Sequence, residues 1–321
     1  MENKYKIIFI GTSRFAVPAL EKLLERGEQI PLVITRPDQP AGRQKEISPS
    51  PVKQAALKRG LELSQPEKIS DAGSALKIIA PDLIVVAAYG RIIPRSIIEL
   101  PRFKTINIHP SLLPKYRGAS PIQTAILKGD KTTGSTLMLM DGKTDHGPII
   151  AQKEISLDQH DDYPALEKKL AELSADLLAD TLPFYFSGEI KPAVQDESRA
   201  VYAGILTRED GKIDWRKSAR EIERKIRAFR PWPGTWTEFG GRRLKIIQVT
   251  VAESPQKDAV KTGAGWLVLD VVQLDGKRPM SGKEFFRGRS DLESERFENL
   301  RDASDFRNIA EKGKARVNSK A

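Results

Sequence analysis

The chain of 321 residues is 39% hydrophobic and 30% charged, with a formal net charge of +10, and it is long enough for two domains with separate cores. No apolar run approaches the roughly 20 residues needed to cross a bilayer, and the N-terminus enters a strand pattern without the features of a signal peptide. The absence of cysteine excludes disulfides and thiolate chemistry, and three histidines leave little material for a structural zinc site, so we expect a cytoplasmic protein that needs neither a metal nor a membrane.

The first half of the sequence alternates strand-like and helix-like segments. Helical spacing of apolar residues marks Phe15–Arg26. The run Leu83–Ala88 is apolar on both faces, as expected of a central parallel strand. Strands are predicted at Lys6–Gly11, Ile30–Thr35, Leu61–Ser64, Asp82–Tyr89 and Thr105–Ile108. This alternation predicts an α/β fold with a doubly wound, mostly parallel sheet, which binds ligands beyond the carboxyl ends of its strands.

The second half continues this pattern and then changes to short strands. Two more strands are expected at Ser135–Met140 and Ile149–Ile155, followed by a long helix at Tyr163–Phe186. After a helix at Ala219–Phe229, short strands separated by glycine turns predict a small β-barrel, at Thr235–Phe239, Leu244–Val251 and Gly265–Val272. We therefore divide the chain into an α/β domain (1–188), a linker (189–205), a β-barrel domain (206–287) and a charged tail (288–321).

The basic excess is concentrated in the last third of the chain. Residues 201–321 hold 26 lysines and arginines against 18 acidic residues. Charge alone is compatible both with simple solubility and with attraction to a polyanion such as RNA.

Three polar residues are candidates for catalysis: Asn107, His109 and Asp145. Asn107 and His109 alternate at the end of a predicted strand, so their side chains lie on one face of it. An amide donor, a proton carrier and an orienting carboxylate are sufficient for acyl-group transfer without a metal or a covalent nucleophile. Each residue taken singly has an ordinary structural role, so the interpretation requires that folding bring Asp145, in a glycine-flanked loop, to the other two.

A long basic loop follows the second predicted strand. This segment, 36–51, carries Arg36, Arg43 and Lys45 among four prolines. It is either a mobile surface excursion or a loop that grips a polyanion, and its basic side chains favour the second interpretation. The turn at Gly11–Ala16, in contrast, lacks the glycine spacing of a dinucleotide site.

A stiff segment follows the candidate histidine. Pro110 and Pro114 restrict the backbone of Pro110–Gly118. This geometry suits a wall against which a flat heterocycle lies, although a purely structural loop is the alternative. Both interpretations place the segment next to the candidate catalytic residues.

Taken together, these segments resemble the methionyl-tRNA formyltransferase family over about residues 5–287, in the family's order. The Asn–His–Asp set is shared by all formyltetrahydrofolate-dependent formyltransferases, whereas the Pro-Ser-Pro-Val-Lys loop and the Pro-Trp-Pro segment are narrower signals. The matching segments are Phe9–Thr12, Arg36–Arg43, Ser48–Lys53, Ala87–Gly90, Asn107–Pro114, Arg117–Ile122, the Asp145 loop, Ile213–Trp215, Ile226–Pro233 and Gly276–Ser281.

The resemblance implies transfer of a formyl group from 10-formyltetrahydrofolate to the α-amino group of methionine on initiator tRNA, for translation initiation. It implies a Rossmann-like catalytic domain and an OB-like C-terminal barrel, in a protein that we expect to be a monomer. Catalysis is assigned to Asn107, His109 and Asp145. The residues assigned to the folate pocket are Ala88, Tyr89, Gly90, Ser111, Leu112, Leu113 and Pro114. Binding of tRNA is assigned to the second domain and to Arg36, Arg43 and Lys45.

The sequence departs from the family pattern at two places near these residues. Pro110 replaces the glycine usual after the catalytic histidine, and Gly142–Thr144 differs from the common loop before the aspartate. The tail 288–321 lies outside the resemblance. Three rival functions stay open at this point: a sugar-nucleotide formyltransferase, the hydrolase domain of a folate dehydrogenase, and a catalytically silent RNA-binding protein.

Overall fold

The computed structural model describes residues 5–41, 46–256 and 259–287, and it divides into two compact units. The first unit contains the residues up to 125 and residues 130–205, and the second contains residues 126–129 and those from 206 onward. Each unit has its own core of buried apolar side chains. Within the described ranges, no helix has the length and apolar character needed to span a membrane.

The chain up to residue 205 alternates strands and helices. The strands are β1 (Lys6–Gly11), β2 (Gln29–Ile34), β3 (Gln39–Ala41), β4 (Glu46–Ser48), β5 (Leu63–Ser64), β6 (Leu83–Ala87), β7 (Thr105–His109), β8 (Arg117–Gly118), β9 (Thr132–Leu139), β10 (Ile149–Ser156) and β11 (Tyr202–Ala203). The helices are α1 (Val17–Glu25), α2 (Pro51–Lys58), α3 (Gly73–Ile79), α4 (Arg95–Ile98), α5 (Pro121–Lys128) and α6 (Tyr163–Phe186).

Seven strands form the main sheet, in the order β5-β2-β1-β6-β7-β9-β10. The first five in this order run parallel, and β9 and β10 add two antiparallel strands at one edge. The winding direction reverses between β1 and β6, where an open sheet forms a crevice at the carboxyl ends of its strands. The predicted doubly wound, mostly parallel sheet is confirmed.

Periodicity in the sequence explains how these elements pack. Every residue of β6 is buried, because helices cover both faces of a parallel sheet. Helix α6 begins after Asp162, whose side chain accepts a hydrogen bond from the backbone N–H of Ala165. It packs against α1 and β9 with a buried stripe that includes Leu166 and Leu170. The helix has the bounds that the apolar spacing predicted.

Residues 189–205, which the sequence suggested as a linker, lie within the first unit. Ala193 pairs with Ile149, β11 pairs in parallel with β8, and the side chain of Gln195 is buried. These contacts come from irregular backbone and polar side chains, so they leave no apolar periodicity that would reveal them in the sequence. The first unit therefore extends to residue 205 rather than ending at 188.

The second unit is a curled antiparallel sheet with two short helices. Its elements are α7 (Ala219–Ala228), β12 (Thr235–Phe239), β13 (Arg242–Ala252), β14 (Ala259–Lys261), β15 (Trp266–Leu274), β16 (Met280–Ser281) and α8 (Gly282–Phe286). The strand order is β12-β13-β15-β14, with β16 paired to β15. Trp215 is fully buried in the core, and its indole N–H donates to Oγ1 of Thr237 at 2.9 Å. This arrangement agrees with the predicted small barrel.

The basic loop after β2 is described only in part. Strands β3 and β4 pair antiparallel at its two ends. Arg43 and Lys45 lie outside the described residues, and so does the tail 288–321. What the sequence suggests for these residues therefore stays a prediction.

Candidate active site

A cavity of about 670 Å³ lies at the carboxyl ends of β1, β6 and β7, where a doubly wound sheet binds ligands. Small-molecule sites typically measure roughly 300–1,000 Å³. The lining comes from the turn after β1, the segment after β6, the end of β7, the loop after β9 and the start of α6. It includes Ser13, Phe15, Ala88–Ile93, Asn107–Pro110, Gly118, Met140, Asp145 and Tyr163.

Asp145 is the point at which the candidate residues meet. Its Oδ1 accepts a hydrogen bond from Nδ2 of Asn107 at 3.2 Å, and its Oδ2 accepts one from the backbone N–H of Gly118 at 2.8 Å. Oδ2 also lies 3.5 Å from Nδ1 of His109. Asp145 has a φ of 46°, a conformation that a non-glycine residue keeps only where its surroundings enforce it. Folding thus brings together the three residues that the sequence singled out.

The ring of His109 is buried, and its two nitrogens have different surroundings. Nε2 lies 2.9 Å from the backbone oxygen of Tyr116, and because a carbonyl oxygen only accepts, Nε2 carries the proton of this hydrogen bond. The 3.5 Å between Nδ1 and Oδ2 of Asp145 is longer than a hydrogen bond. Nδ1 is therefore the nitrogen left for a bound group, beside a carboxylate: it accepts in the neutral ring and donates in the imidazolium.

Strand β7 explains why Asn107 and His109 share a face. Ile106 and Ile108, which alternate with them, are buried in the sheet, as period-two geometry requires. Asn107 lines the cavity, and only one N–H of its amide is used by Asp145. The second N–H is free to donate to a ligand.

A buried hydrogen-bond network contacts the backbone of the Asp145 loop. Nε2 of Gln195 donates to the backbone oxygens of Asp145 and Gly147, at 2.9 and 2.7 Å. Oε1 of Gln195 accepts from Nε and Nη2 of Arg117, at 3.0 and 2.8 Å. Arg117 is fully buried and forms a two-pronged contact with Glu197. This hydrogen-bonded guanidinium holds the pKa of Glu197 below its ordinary value.

The sequence did not single out Gln195 as a functional residue. It lies in the segment that the sequence predicts as a linker, where no spacing or motif distinguishes a structural glutamine from a solvated one. Arg117 belongs to a segment that carries the family resemblance, without a role of its own. Arg91 and Ile92, which line the cavity, were also missed, because exposed residues just past a strand carry no pattern of their own.

Two buried hydroxyls in the cavity wall, those of Tyr89 and Ser13, have no hydrogen-bond partner within the described part of the chain. Burial raises the pKa of the Tyr89 hydroxyl. An unsatisfied buried polar group is unfavourable by about 1–3 kcal/mol, and a polar ligand atom would recover this energy. These hydroxyls are therefore candidate contacts for a bound molecule.

The structure brings only part of the suggested folate pocket to this cavity. Ala88, Tyr89 and Gly90 line it. Ser111–Pro114 do not: Leu112, Leu113 and Pro114 border a separate hollow of about 580 Å³, and the Ser111 hydroxyl donates to the backbone oxygen of Lys115 at 2.6 Å. The backbone N–H of Leu113 donates to Oγ1 of Thr136 in β9 at 3.1 Å.

Arg36 follows β2 and lies at the edge of the cavity. A Cβ atom on the cavity residue Gly90 would be 3.6 Å from Nη1 of Arg36. The nearby carboxylate of Asp38 pairs instead with Lys53, at 2.6 Å. Nε of Arg36 is buried and has no hydrogen-bond partner among the residues described. Arg36 thus presents a cation next to the cavity with no acidic partner in that part of the chain.

Comparison with known proteins identifies the family of this chain. The sequence model of the formyl transferase family matches residues 5–182, and that of the formyl transferase C-terminal domain matches residues 205–290. The methionyl-tRNA formyltransferase of Acidobacterium capsulatum is 43% identical over 301 residues, which cover 89% of this chain and 97% of that protein. The methionyl-tRNA formyltransferase of Hydrogenobaculum sp. is 44% identical over 296 residues, covering 88% and 97%.

Solved structures share the fold at lower identity. HypX from Aquifex aeolicus in complex with tetrahydrofolic acid has a TM-score of 0.61 and 18% identity, covering 90% of this chain and 48% of that one. WlaRD, a sugar 3N-formyl transferase solved with dTDP and 5-N-formyl-THF, has a TM-score of 0.63 and 21% identity, covering 86% and 100%. The fold and the family matches define an enzyme that transfers formyl groups. The chain belongs to the methionyl-tRNA formyltransferases within the formyl transferase family.

Proposed function

We propose that the protein transfers the formyl group of 10-formyltetrahydrofolate to the α-amino group of methionine on initiator methionyl-tRNA. The observation that carries the proposal is the meeting of Asn107, His109 and Asp145 in one cavity. The relatives at 41–44% identity are named methionyl-tRNA formyltransferases, which favours a tRNA acceptor over the sugar acceptor of the more distant WlaRD.

In the proposed reaction, the neutral amine attacks the formyl carbon, a C–N bond forms, and the formyl oxygen becomes an oxyanion. The second amide N–H of Asn107 and a proton on Nδ1 of His109 donate to this oxygen. Each donor of this kind contributes roughly 100–1,000-fold to the rate. Asp145 orients both donors and balances the charge of the ring.

The bond from the formyl carbon to the folate nitrogen then breaks, and the proton lost by the amine passes to that nitrogen. Nδ1 of His109 and Oδ2 of Asp145 are the groups at hand for this transfer. General acid–base assistance of this kind is worth about 100–10,000-fold. The step leaves formyl-methionine on the tRNA and tetrahydrofolate.

The formyl donor is proposed to lie along the segment after β6. Ala88, Tyr89 and Gly90 supply backbone groups and a buried hydroxyl, and Ile93 and Met140 supply apolar surface for a flat ring. A contact of Ser111–Pro114 with folate stays a prediction: Leu112, Leu113 and Pro114 border a different hollow, and Ser111 is not among the residues that line the cavity.

The RNA acceptor is proposed to meet the loop after β2. Arg36 lies at the cavity edge without an acidic partner among the described residues, so a backbone phosphate would complete its pairing. Arg43 and Lys45 of the same loop are proposed to add salt-sensitive contacts to the phosphates.

Single-turnover formyl transfer to charged initiator tRNA, with 10-formyltetrahydrofolate as donor, tests the proposal. Asn107→Ala and Asp145→Ala should each slow the transfer roughly 100-fold or more. His160→Ala is the matched control for His109→Ala, because His160 is exposed and lies outside the cavity lining. Wild-type rates in the Asn107 and Asp145 variants would contradict the mechanism.

The same assay separates the rival functions. An amino-sugar nucleotide as sole acceptor tests the sugar formyltransferase, and release of free formate tests the hydrolase. RNA binding without any formyl transfer would support the silent RNA-binding protein. We expect transfer to methionyl-tRNA to exceed the other two reactions by orders of magnitude.

A further inference from the structure

One histidine next to the catalytic residues has no part in the proposed reaction. His146 follows Asp145 in the loop between β9 and β10, and it is not among the described residues that line the cavity. Its two ring nitrogens lie instead beside two carboxylates, those of Asp141 and Glu197. Any role of this side chain in formyl transfer must therefore act through the loop that carries it.

The loop between β9 and β10 is mostly exposed. At its base, the backbone N–H of Leu139 donates to the backbone oxygen of Pro148 at 2.9 Å, but residues 141–144 are exposed. Exposed segments are the parts of a protein that open most readily. Asp145 nevertheless keeps its φ of 46°, and a non-glycine residue holds this conformation only where its surroundings enforce it. The loop therefore needs restraints besides its base.

A hydrogen bond between two side chains closes the exposed part of the loop into a ring. Nδ1 of His146 lies 2.5 Å from Oδ2 of Asp141, and because a carboxylate only accepts, Nδ1 carries the proton. Oδ1 of Asp141 accepts from the backbone N–H of Lys143 at 3.0 Å. Burial alone would raise the pKa of Asp141, but these two hydrogen bonds hold the pKa below its ordinary value. The ring spans residues 141–146 and so includes Asp145.

The second ring nitrogen of His146 faces the buried hydrogen-bond network. Nε2 lies 3.5 Å from Oε1 of Glu197, which is longer than a hydrogen bond. The Glu197 carboxylate is 57% exposed, so its attraction to the imidazole is weak, and its stronger partner is Arg117 at 2.7 Å. Of the two carboxylates, Asp141 is the one that fixes the position of His146.

We propose that His146 is a positioning residue for Asp145: by closing the loop through Asp141, it keeps the Asp145 carboxylate where the reaction needs it. That carboxylate accepts from Nδ2 of Asn107 at 3.2 Å and from the backbone N–H of Gly118 at 2.8 Å. A misplacement of about 1 Å typically costs roughly 100-fold in rate. The inference rests on the proposed function, since it concerns the aspartate of that reaction.

His146 and Gln195 restrain the loop from opposite sides. Gln195 is buried, and it donates to the backbone oxygens of Asp145 and Gly147, the residues on either side of His146. The pair of His146 and Asp141 is about one-third exposed, with side chains 32% and 31% accessible. Loss of either contact therefore leaves Asp145 restrained from one side only.

Steady-state formyl transfer to methionyl-tRNA tests the positioning role. His146→Ala should lower kcat roughly tenfold or more while KM for 10-formyltetrahydrofolate stays nearly unchanged, because Asp145 acts in the transition state. His160→Ala is the matched control, because His160 is an exposed histidine outside the cavity lining, and it should keep the wild-type kcat. Thermal unfolding of each variant shows that the rates refer to folded enzyme.

Two amide variants identify which contact of His146 matters. His146→Asn places an amide nitrogen where the ring has Nδ1 and should restore most of kcat through Asp141. His146→Gln places the nitrogen one bond further, near the position of Nε2, and should resemble His146→Ala. Rescue by glutamine but not by asparagine would show that Glu197 is the relevant partner and would overturn the proposal.

A double-mutant cycle tests whether His146 and Asp141 act as one unit. Asp141→Ala should lower kcat about as much as His146→Ala, and the double variant should be no slower than either, because both changes open the same ring. Losses that multiply in the double variant would mean that the two residues act independently, which would overturn the proposal.

NMR of the ¹⁵N-labelled histidine rings tests the effect on Asp145 without any substrate. The chain has three histidines, and His160→Ala helps to assign their signals. In His146→Ala and Asp141→Ala, the His109 signals should move toward their positions in Asp145→Ala, where the neighbouring carboxylate is absent. Unchanged His109 signals, or a wild-type kcat in His146→Ala, would overturn the proposal. A wild-type protein inactive toward methionyl-tRNA would overturn the proposed function instead, and the spectra would still decide whether His146 positions Asp145.

Discussion

Gln195→Leu is expected to reduce both the stability of the protein and the rate of formyl transfer, because the Gln195 side chain is hydrogen-bonded to the backbone of the Asp145 loop. The Gln195 amide makes two hydrogen bonds to backbone oxygens and accepts two from Arg117. Leucine has a similar size, so the substitution removes these four bonds without opening a large void. The effect therefore reports the hydrogen bonds rather than the packing.

The magnitude follows from the groups that lose their partner. These are the backbone oxygens of Asp145 and Gly147 and Nε of Arg117. A buried polar group without a partner is unfavourable by about 1–3 kcal/mol. Arg117 keeps its contact with Glu197, so no charge is stranded and the low end applies. We expect the free energy of unfolding to fall by about 3 kcal/mol.

Urea unfolding and single-turnover transfer, measured on the same preparation, check both parts. A displacement of Asp145 by 1 Å would slow the transfer by about 100-fold. Gln54→Leu is the matched control, because Gln54 is exposed on α2 and its Nε2 donates to the backbone oxygen of Pro49, outside the network of Asp145. Unchanged stability of Gln195→Leu would refute the hydrogen-bond reasoning. A loss of stability with a wild-type transfer rate would show that Gln195 supports the fold without positioning Asp145.

Two further predictions concern the same network. Gly118→Ala should destabilise the protein by about 1–3 kcal/mol, because residue 118 has a φ of 115° and a Cβ there would lie 2.4 Å from the backbone oxygen of Ala203. The substitution should also slow transfer, because the backbone N–H of Gly118 donates to Asp145. Urea unfolding measures the first effect and single-turnover transfer the second. Arg117 lowers the pKa of Glu197, so the stability that this carboxylate contributes is present above its ordinary pKa of about 4.3 and is lost as pH falls through the lowered value. Urea midpoints between about pH 2 and pH 7 should therefore fall less steeply with acid in Glu197→Gln than in the wild type, and identical pH profiles would contradict the assignment.

Much of the α/β unit could be predicted from the sequence, because buried faces of helices and strands require a regular spacing of apolar residues. The unbroken apolar run of β6 and the stripe of α6 report which faces are covered. The same reasoning placed Asn107 and His109 on one face of β7. Asp145 could be suggested by its residue type and by resemblance, but only the fold shows its carboxylate against both.

The remaining parts of the site depend on contacts of irregular segments, which leave no regular spacing in the sequence. Gln195 reaches Asp145 from an irregular segment, and a glutamine that accepts from a buried arginine looks like any other glutamine in the sequence. Pro110 and Pro114 restrict the backbone of the segment Ser111–Pro114, but a contact such as the hydrogen bond from Leu113 to Thr136 cannot be read from the sequence. Prolines in the sequence thus predict a restricted backbone, whereas the position of the segment in the fold depends on its tertiary contacts.

The hydrogen bond from Gln195 to the backbone of Asp145 also affects how the site forms during synthesis of the chain. The two residues are 50 positions apart, and synthesis proceeds from the N-terminus. A nascent chain that has just completed α6 already contains Asn107, His109 and Asp145, yet it lacks the side chain that sets the aspartate loop. The aspartate loop can therefore gain the hydrogen bonds of Gln195 only after the irregular segment beyond α6 has been made.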